Sequence, residues 1–176
     1  MTTKNLYEEQ ANSDILNSST SATSFDGADE NVLDALKAVI SKKVQRAEIY
    51  INVPERPGVM LLISPNVTQN QIKAWQKNSG SESKSGIDAT KFACQVIGHT
   101  TRGIFLNGEE VFEDGKSLGF ASPSILKMTG ATRALPDCVQ MFFGLDPHVE
   151  SAALAIIDAS GYGDTVEQQE NPSKQS

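Results

Sequence analysis

The sequence predicts an α+β fold: a small helical domain with two β-hairpins, flanked by disordered acidic tails. Two short segments alternate apolar and polar residues around turn residues, as β-hairpins do. Other segments repeat apolar residues at helical spacing, and they dominate the C-terminal half. Polar residues fill both ends. We therefore expect a disordered tail over 1–28, an α+β domain over 29–163 and a second disordered tail over 164–176.

The charges lie mainly at the two ends of this 176-residue chain, whose formal net charge is −7. Residues 1–30 hold six acids and one base, residues 163–176 hold three acids and one base, and residues 31–162 hold 13 of each. A neutral body lacks the basic face of a nucleic-acid-binding protein. Neither a signal peptide nor an apolar run of roughly 20 residues is visible. These patterns predict a soluble protein of the cytoplasm that binds neither nucleic acid nor membrane.

The patterns in the N-terminal half of the predicted domain indicate a helix, a hairpin and a second helix. Asp29 is the expected N-cap of the first helix, with bases in its last turns at Lys42, Lys43 and Arg46. Its apolar positions are Val32, Leu33, Leu36, Val39, Ile40 and Val44. Residues 49–53 and 59–63 form the hairpin around a Pro-Gly turn. A short helix over 66–78 follows, with capping-box spacing at Thr68 and Gln71.

The patterns in the C-terminal half predict several helices and one further hairpin. After a Ser/Gly loop at 79–86, a helix begins behind Asp88 with Phe92, Ala93, Val96 and Ile97 facing inward. Asn107-Gly108 supplies the positive φ angles of a hairpin turn. Ser122-Pro123 and Asp146-Pro147 each resemble an N-cap followed by proline at the first helical position. Another helix is expected over 135–143, and the glycines at 161 and 163 end the last one.

The residue types that usually carry catalysis are sparse. We find no phosphate-binding loop, dinucleotide fingerprint or nucleophile elbow, and the two cysteines and two histidines lack zinc-ligand spacing. Cys94 with His99 is the one candidate nucleophile and base, against the alternative that Cys94 and Cys138 are buried thiols. Four acids near the second hairpin, namely Glu109, Glu110, Glu113 and Asp114, either bind a cation or form a solvated tip. We expect no enzyme, no metal and no cofactor.

Several segments between residues 44 and 163 resemble the tail assembly chaperones of long, non-contractile-tailed bacteriophages, especially those of actinobacterial hosts. The closest likeness lies in the acidic hairpin at 104–111 followed by Phe120-Ala-Ser-Pro123. A second lies in Phe143-Gly-Leu-Asp146 at a helix junction, and a third in Gly161-Tyr-Gly-Asp164. These segments cover about two thirds of the chain.

The resemblance implies non-catalytic work in phage assembly. Such chaperones keep the tape measure protein soluble and help the major tail tube protein polymerise around it. They act in the host cytoplasm and are absent from the finished virion. Many occur in two forms made by a programmed ribosomal frameshift. This chain would then be the short form, diverging from its longer partner over 164–176.

The same resemblance suggests how partners could bind. We hypothesise that the body offers an apolar groove to amphipathic segments of the tape measure protein, while the acidic tails keep the complex soluble. Four aromatic residues are candidate contacts unless they belong to the core: Trp75, Phe120, Phe142 and Phe143. The alternatives are a structural minor tail or head–tail joining protein, a generic adaptor, and a cysteine-dependent hydrolase.

Overall fold

The predicted α+β class is confirmed by a computed structural model, which describes residues 27–164 and 166. The chain divides into two compact units, residues 1–44 and residues 45–176. Nearly all of the two predicted tails lies outside the described residues. The predicted domain began at residue 29, whereas the boundary between the compact units falls between Val44 and Gln45.

The described part of the first unit contains helix α1, Gly27–Ile40. The helix begins before Asp29, so the prediction that Asp29 is its N-cap was wrong. It also ends earlier than predicted. Lys37 is the base in its last turn, and Lys42 and Lys43 follow the end of the helix. Turn-like hydrogen bonds extend the end of the helix, from Ser41 N to Lys37 O at 2.9 Å and from Lys42 N to Val39 O at 3.3 Å.

A four-stranded antiparallel sheet forms one layer of the second unit. Its order is β1 (Ile49–Asn52), β2 (Val59–Ile63), β3 (Thr101–Leu106) and β4 (Glu109–Glu110). The first predicted hairpin is thus confirmed, with Tyr50 opposite Leu62 across the two strands. Leu61 and Ile63 of β2 and Ile104 of β3 are buried in the core, while Tyr50 on the other face is 58% exposed. One face of the sheet is therefore covered, as period-two patterning requires.

Two short turns fix the register of the strands beyond β3. Asn107 (φ 51°) and Gly108 (φ 85°) form the predicted hairpin turn between β3 and β4. A second, two-stranded sheet, which the sequence patterns did not predict, is made by β5 (Phe112–Glu113) and β6 (Lys116–Ser117). Its turn repeats the same chemistry at Asp114 (φ 51°) and Gly115 (φ 74°), because Asp-Gly also supports two positive φ angles.

The helices of the second unit form the other layer. They are α2 (Gln69–Asn78), α3 (Ala89–Thr100), α4 (Pro123–Thr129), α5 (Asp137–Phe143) and α6 (Asp146–Ile157). A π-helical turn, Asp158–Tyr162, extends α6 and contains Gly161 at φ 99°. The predicted helices are all present, although α2 and α5 begin two or three residues later than expected.

In the 45–176 unit, helix capping agrees with the prediction at two sites and differs from it at two others. The Thr68–Gln71 capping box is confirmed, and Asp88 caps α3 by accepting from Lys91 N at 2.9 Å. Ser122 occupies the predicted N-cap position of α4, with Pro123 in the first turn, but its hydroxyl accepts from Gly119 N at 2.9 Å and caps no backbone N–H of the helix. Glu113 from β5 accepts from Ser124 N at 3.2 Å instead.

The second predicted cap-proline site also differs from the expectation. Asp146 is the first residue of α6 rather than its N-cap, and its carboxylate accepts from Gln140 Nε2 at 2.8 Å. Pro147 nevertheless lies in the first turn of the helix, where its missing N–H costs nothing.

One apolar core joins the sheet to the helices. Its fully buried side chains include Ile63 from β2, Ile97 from α3, Phe143 from α5 and Ile156 from α6. Trp75 is 5% exposed and anchors α2 to this core, with its ring stacked on His99 at 5.5 Å between centroids. Because the core contains side chains from all these elements, each element depends on the others for burial.

Removal of the α2 cap tests the importance of its local hydrogen bonds. We expect Thr68→Ala to lower the free energy of unfolding by about 1 kcal/mol, because Gln71 N loses its side-chain acceptor. Thr68→Ser, which keeps the hydroxyl, should lie near the wild type. Urea denaturation followed by circular dichroism measures both variants. Equal destabilisation by the two substitutions would show that the methyl group, not the capping hydroxyl, matters.

Candidate functional site

Three of the four aromatic residues proposed as partner contacts belong to the core. Trp75 is 5% exposed, Phe120 is 2% exposed and Phe143 is fully buried. Phe142 is partly buried, and its ring lies edge-on to Phe120 at 5.1 Å between centroids. Its backbone oxygen also accepts a hydrogen bond from Arg56 Nε at 3.0 Å. For Trp75, Phe120 and Phe143 the alternative stated above, that they are core residues, therefore describes the structure.

The cysteines also lie in the core. Cys94 and Cys138 are both free thiols with no exposed surface. Burial, reinforced by the negative charges of Asp146 and Asp88, raises the pKa of Cys94 to about 12, and burial raises the pKa of Cys138 as well. A thiol with a raised pKa is a poor nucleophile at neutral pH, because the thiolate is the reactive form.

Within the described part of the chain, neither His99 nor His148 is hydrogen-bonded to a cysteine thiol. Cys94 and His99 are five residues apart on α3, which places them about 140° apart around the helix axis. His99 Nε2 instead contacts Gln95 Oε1 at 3.2 Å. His148 lies in the first turn of α6, where its Nδ1 is buried and finds no hydrogen-bond partner among the described residues.

Two of the acids near the second hairpin are engaged in structural hydrogen bonds. Glu110 accepts from Ser117 Oγ at 2.6 Å, and Glu113 accepts from the backbone and hydroxyl of Ser124. Across residues 27–164 and 166, the His, Cys, Asp and Glu side chains form no group of three placed to hold a metal ion. Glu110 thus connects β4 to β6, and Glu113 stabilises the start of α4.

An apolar cleft between α3 and α6 is a candidate binding site. We call it the α3/α6 cleft, and its volume is about 160 Å³. Phe92 and Ile157 are partly buried in it, and Leu154 is 63% exposed at its rim. The remaining lining residues are Ala89, Ala93, Glu150 and Ala153. An apolar cavity of about 150 Å³ accommodates a benzene molecule, so this cleft has room for one leucine or phenylalanine side chain.

The cleft has one charged group in its lining. Glu150 Oε1 accepts a hydrogen bond from Thr90 Oγ1 at 2.8 Å, which connects the two helices across the cleft. That bond uses one carboxylate oxygen, and a carboxylate has several acceptor positions. A partner could therefore place an apolar side chain in the cleft and a lysine or arginine beside Glu150. An amphipathic helix combines these two groups on neighbouring turns.

One signal for this cleft is present in the sequence of α6. Helix α6 carries Val149, Ala152, Ala153 and Ile156 toward the core, all buried. Leu154 is apolar as well but lies outside that stripe, at a position where a surface helix usually carries a polar residue. The extra apolar residue marks a second apolar side of α6. The identity of its neighbours on α3 depends on how the two helices pack.

A polar cleft of about 360 Å³ lies where three helices begin. Asp88, Asp137 and Asp146 each lie at a helix N-terminus, where the helix dipole favours a negative charge. Arg133 donates two hydrogen bonds to Asp137, at 3.0 and 2.9 Å, and these bonds lower the pKa of that carboxyl. Of the three aspartates only Asp88 caps its helix by a side-chain hydrogen bond, whereas Asp137 and Asp146 lie in the first turns of theirs.

Crossing a membrane needs a long apolar helix, and none of the helices within the described ranges meets that requirement. Comparison with protein-family models, with curated proteins and with solved structures finds no match for this chain.

The burial of the cysteines predicts slow thiol chemistry. In native protein at pH 8, we expect neither Cys94 nor Cys138 to react with a thiol-exchange reagent within minutes, because both side chains are fully buried. In concentrated guanidinium chloride both should react at once. Absorbance of the released chromophore gives the count of thiols. Rapid labelling of a native thiol would contradict the buried geometry and would favour the hydrolase alternative.

The raised pKa of Cys94 predicts a loss of stability at alkaline pH. The folded-state pKa is about 12 against an ordinary value of 9.0. The stability that Cys94 contributes is therefore fully present below pH 9 and is lost as the pH rises toward 12. The reason is that the thiol of the unfolded chain releases its proton at a lower pH than the thiol of the folded chain. Between pH 8 and pH 11, the free energy of unfolding should fall by about 2–3 kcal/mol more in the wild type than in Cys94→Ala. Urea denaturation at both pH values measures the difference, and parallel pH profiles would contradict the assignment.

Proposed function

We propose that this chain is a bacteriophage tail assembly chaperone. In this role it binds the tape measure protein without catalysing a reaction, keeps that protein soluble and promotes assembly of the tail tube around it. Its further partners would be the major tail tube protein and a longer, frameshifted form of the chain itself. The observation that carries the proposal is the α3/α6 cleft, with Leu154 exposed at its rim.

The cleft suits a helical, sequence-tolerant partner. It is small, mostly apolar and open to solvent, and its single carboxylate can fix the orientation of a basic side chain. A site of this kind binds one apolar side chain of an amphipathic helix and requires little else of the partner's sequence. A long helical protein presents such anchors repeatedly along its length. Many weak sites filled by many copies would cover its apolar face before assembly.

The charge distribution supports the same role. The neutral body permits close approach to a partner of either charge, whereas the acidic ends repel other copies of the complex. Net charge concentrated outside the binding region thus favours solubility without weakening binding at the cleft. The resemblance of residues 44–163 to tail assembly chaperones supplies the identity of the partner.

A charge placed in the cleft tests the binding site. We expect Leu154→Glu to reduce the soluble fraction of co-expressed tape measure protein at least several-fold, because a carboxylate at the rim would lose water when an apolar anchor inserts beside it. Ala155→Glu is the matched control, since Ala155 is exposed on the same helix but does not line the cleft. The measurement is the tape measure protein in the soluble fraction and in a pull-down with the tagged chain.

The possible outcomes test the chaperone function and the cleft as its binding site separately. If the wild-type chain leaves the solubility of the tape measure protein unchanged, the chaperone function is wrong. If the wild type helps and both variants help equally, the function stands and the cleft is not the site. Mass spectrometry of purified virions gives the remaining distinction. Stoichiometric presence of the chain there would identify a structural minor tail or head–tail joining protein instead.

A further inference from the structure

Strand β1 lies at the border of the four-stranded sheet, with β2 on one side only. Val53, the residue after β1, donates its N–H to Val59 O at 3.0 Å. Backbone groups alternate in direction along a strand, so the N–H and C=O groups of Tyr50 and Asn52 point away from β2. No group among the described residues hydrogen-bonds to these outward N–H and C=O groups. One side of β1 is therefore open to a further strand.

The open side of β1 lacks the features that usually prevent strand pairing. Proteins protect edge strands with lysine, proline, bulges or a covering helix. Strand β1 contains neither lysine nor proline, and its four residues pair with β2 in an unbroken register. Its backbone is thus regular along its whole length, as the addition of another strand requires.

Helix α6 lies beside this edge without covering it. A recess of about 170 Å³ separates the two elements. The recess is lined by Ile51, Asn52 and Pro54 on the strand side and by His148, Ser151, Ala152 and Ala155 on the helix side. Ser151 and Ala155 are exposed, and their short side chains leave the space open. We call the outward side of β1 together with this recess the β1 edge site, and all its residues belong to the 45–176 unit.

The sequence around β1 indicates which strand fits the β1 edge site. Residues 48–52 read Glu-Ile-Tyr-Ile-Asn, which is symmetric in residue type about Tyr50. An antiparallel strand of the same sequence therefore sets tyrosine against tyrosine, isoleucine against isoleucine and glutamate against asparagine. A parallel copy would instead bring the two Glu48 carboxylates to the same end of the pair, and like charges in neighbouring strands are destabilising.

We propose that β1 pairs with β1 of a second copy, antiparallel about a two-fold axis at Tyr50. The pairing joins two four-stranded sheets into one sheet of eight strands. Glu48, Tyr50 and Asn52 direct their backbone groups to the same side, so each exchanges hydrogen bonds with the second copy. The interface is isologous, as closed dimers require.

The recess provides room for a side chain of the second copy. In the proposed register, Ile49 of the second copy lies opposite Ile51, and both side chains face the helix side of the sheet. A cavity of about 150 Å³ holds a benzene molecule, so the recess accommodates an isoleucine side chain. None of its lining residues lines the α3/α6 cleft. Self-association at β1 and partner binding at the cleft are therefore separable.

The first test measures the oligomeric state of the full chain. Sedimentation equilibrium should show monomers and dimers, and Ala155→Glu should raise the dissociation constant about 10-fold or more, because a carboxylate in the recess opposes burial of Ile49 from the second copy. Leu154→Glu is the matched control, since the neighbouring residue lies outside the recess. It should leave the constant within about threefold. Circular dichroism of both variants verifies that they fold.

The second test removes a backbone donor from the edge. Asn52→Pro deletes an outward N–H, and proline is tolerated on an edge strand whose N–H faces solvent. The urea midpoint of the variant should therefore stay near that of the wild type. Its dissociation constant should rise about 10-fold or more, because the proline ring also prevents close approach of the second strand.

The third test measures the register. Tyr50→Cys should form a disulfide-linked dimer in air, because paired Cα atoms at the two-fold axis lie about 5.5 Å apart, within the range that disulfides span. Asn52→Cys is the matched control, since its copy would lie about 14 Å away. Cys94 and Cys138 are buried and should not contribute.

Three results would overturn the proposal. One is a wild-type chain that stays monomeric at about 100 μM, which would leave the β1 edge site to a different strand. Another is a dimer whose dissociation constant is the same in Ala155→Glu and Asn52→Pro as in the wild type. The third is equal cross-linking of the two cysteine variants, which would contradict the two-fold axis at Tyr50.

Discussion

The contact between α3 and α6 is the interaction on which the rest of the 45–176 unit depends. Both helices contribute fully buried side chains, such as Val96 and Ile97 from α3 and Val149 and Ile156 from α6. Burial of each such aliphatic side chain contributes about 1.5–3 kcal/mol. The remaining helices and the covered face of the sheet pack into the same core. Without this helix pair, neither the sheet nor α2 would have an apolar surface to cover.

The same helix pair produces the α3/α6 cleft. Alanines at 89, 93 and 153 line it, and their short side chains leave space that Phe92, Leu154 and Ile157 enclose without filling. A larger residue at any of these positions would close the cleft. The site is therefore a consequence of residue size within the contact that stabilises the unit. Mutations in the core and mutations in the site are coupled for this reason, and exposed positions such as Leu154 are the ones that separate the two effects.

Local patterns in the sequence determined most elements of the fold. The Thr68–Gln71 capping box, the Asp88 cap and the Asn107-Gly108 turn were predictable, because their hydrogen bonds and φ angles involve residues close in sequence. Tertiary structure decided the rest. Glu113 replaces Ser122 as the cap of α4 through a contact between separate elements. The burial of Trp75 and the opening beside Leu154 likewise depend on which helices meet, and residue spacing along one segment contains no information on the shape of its neighbour.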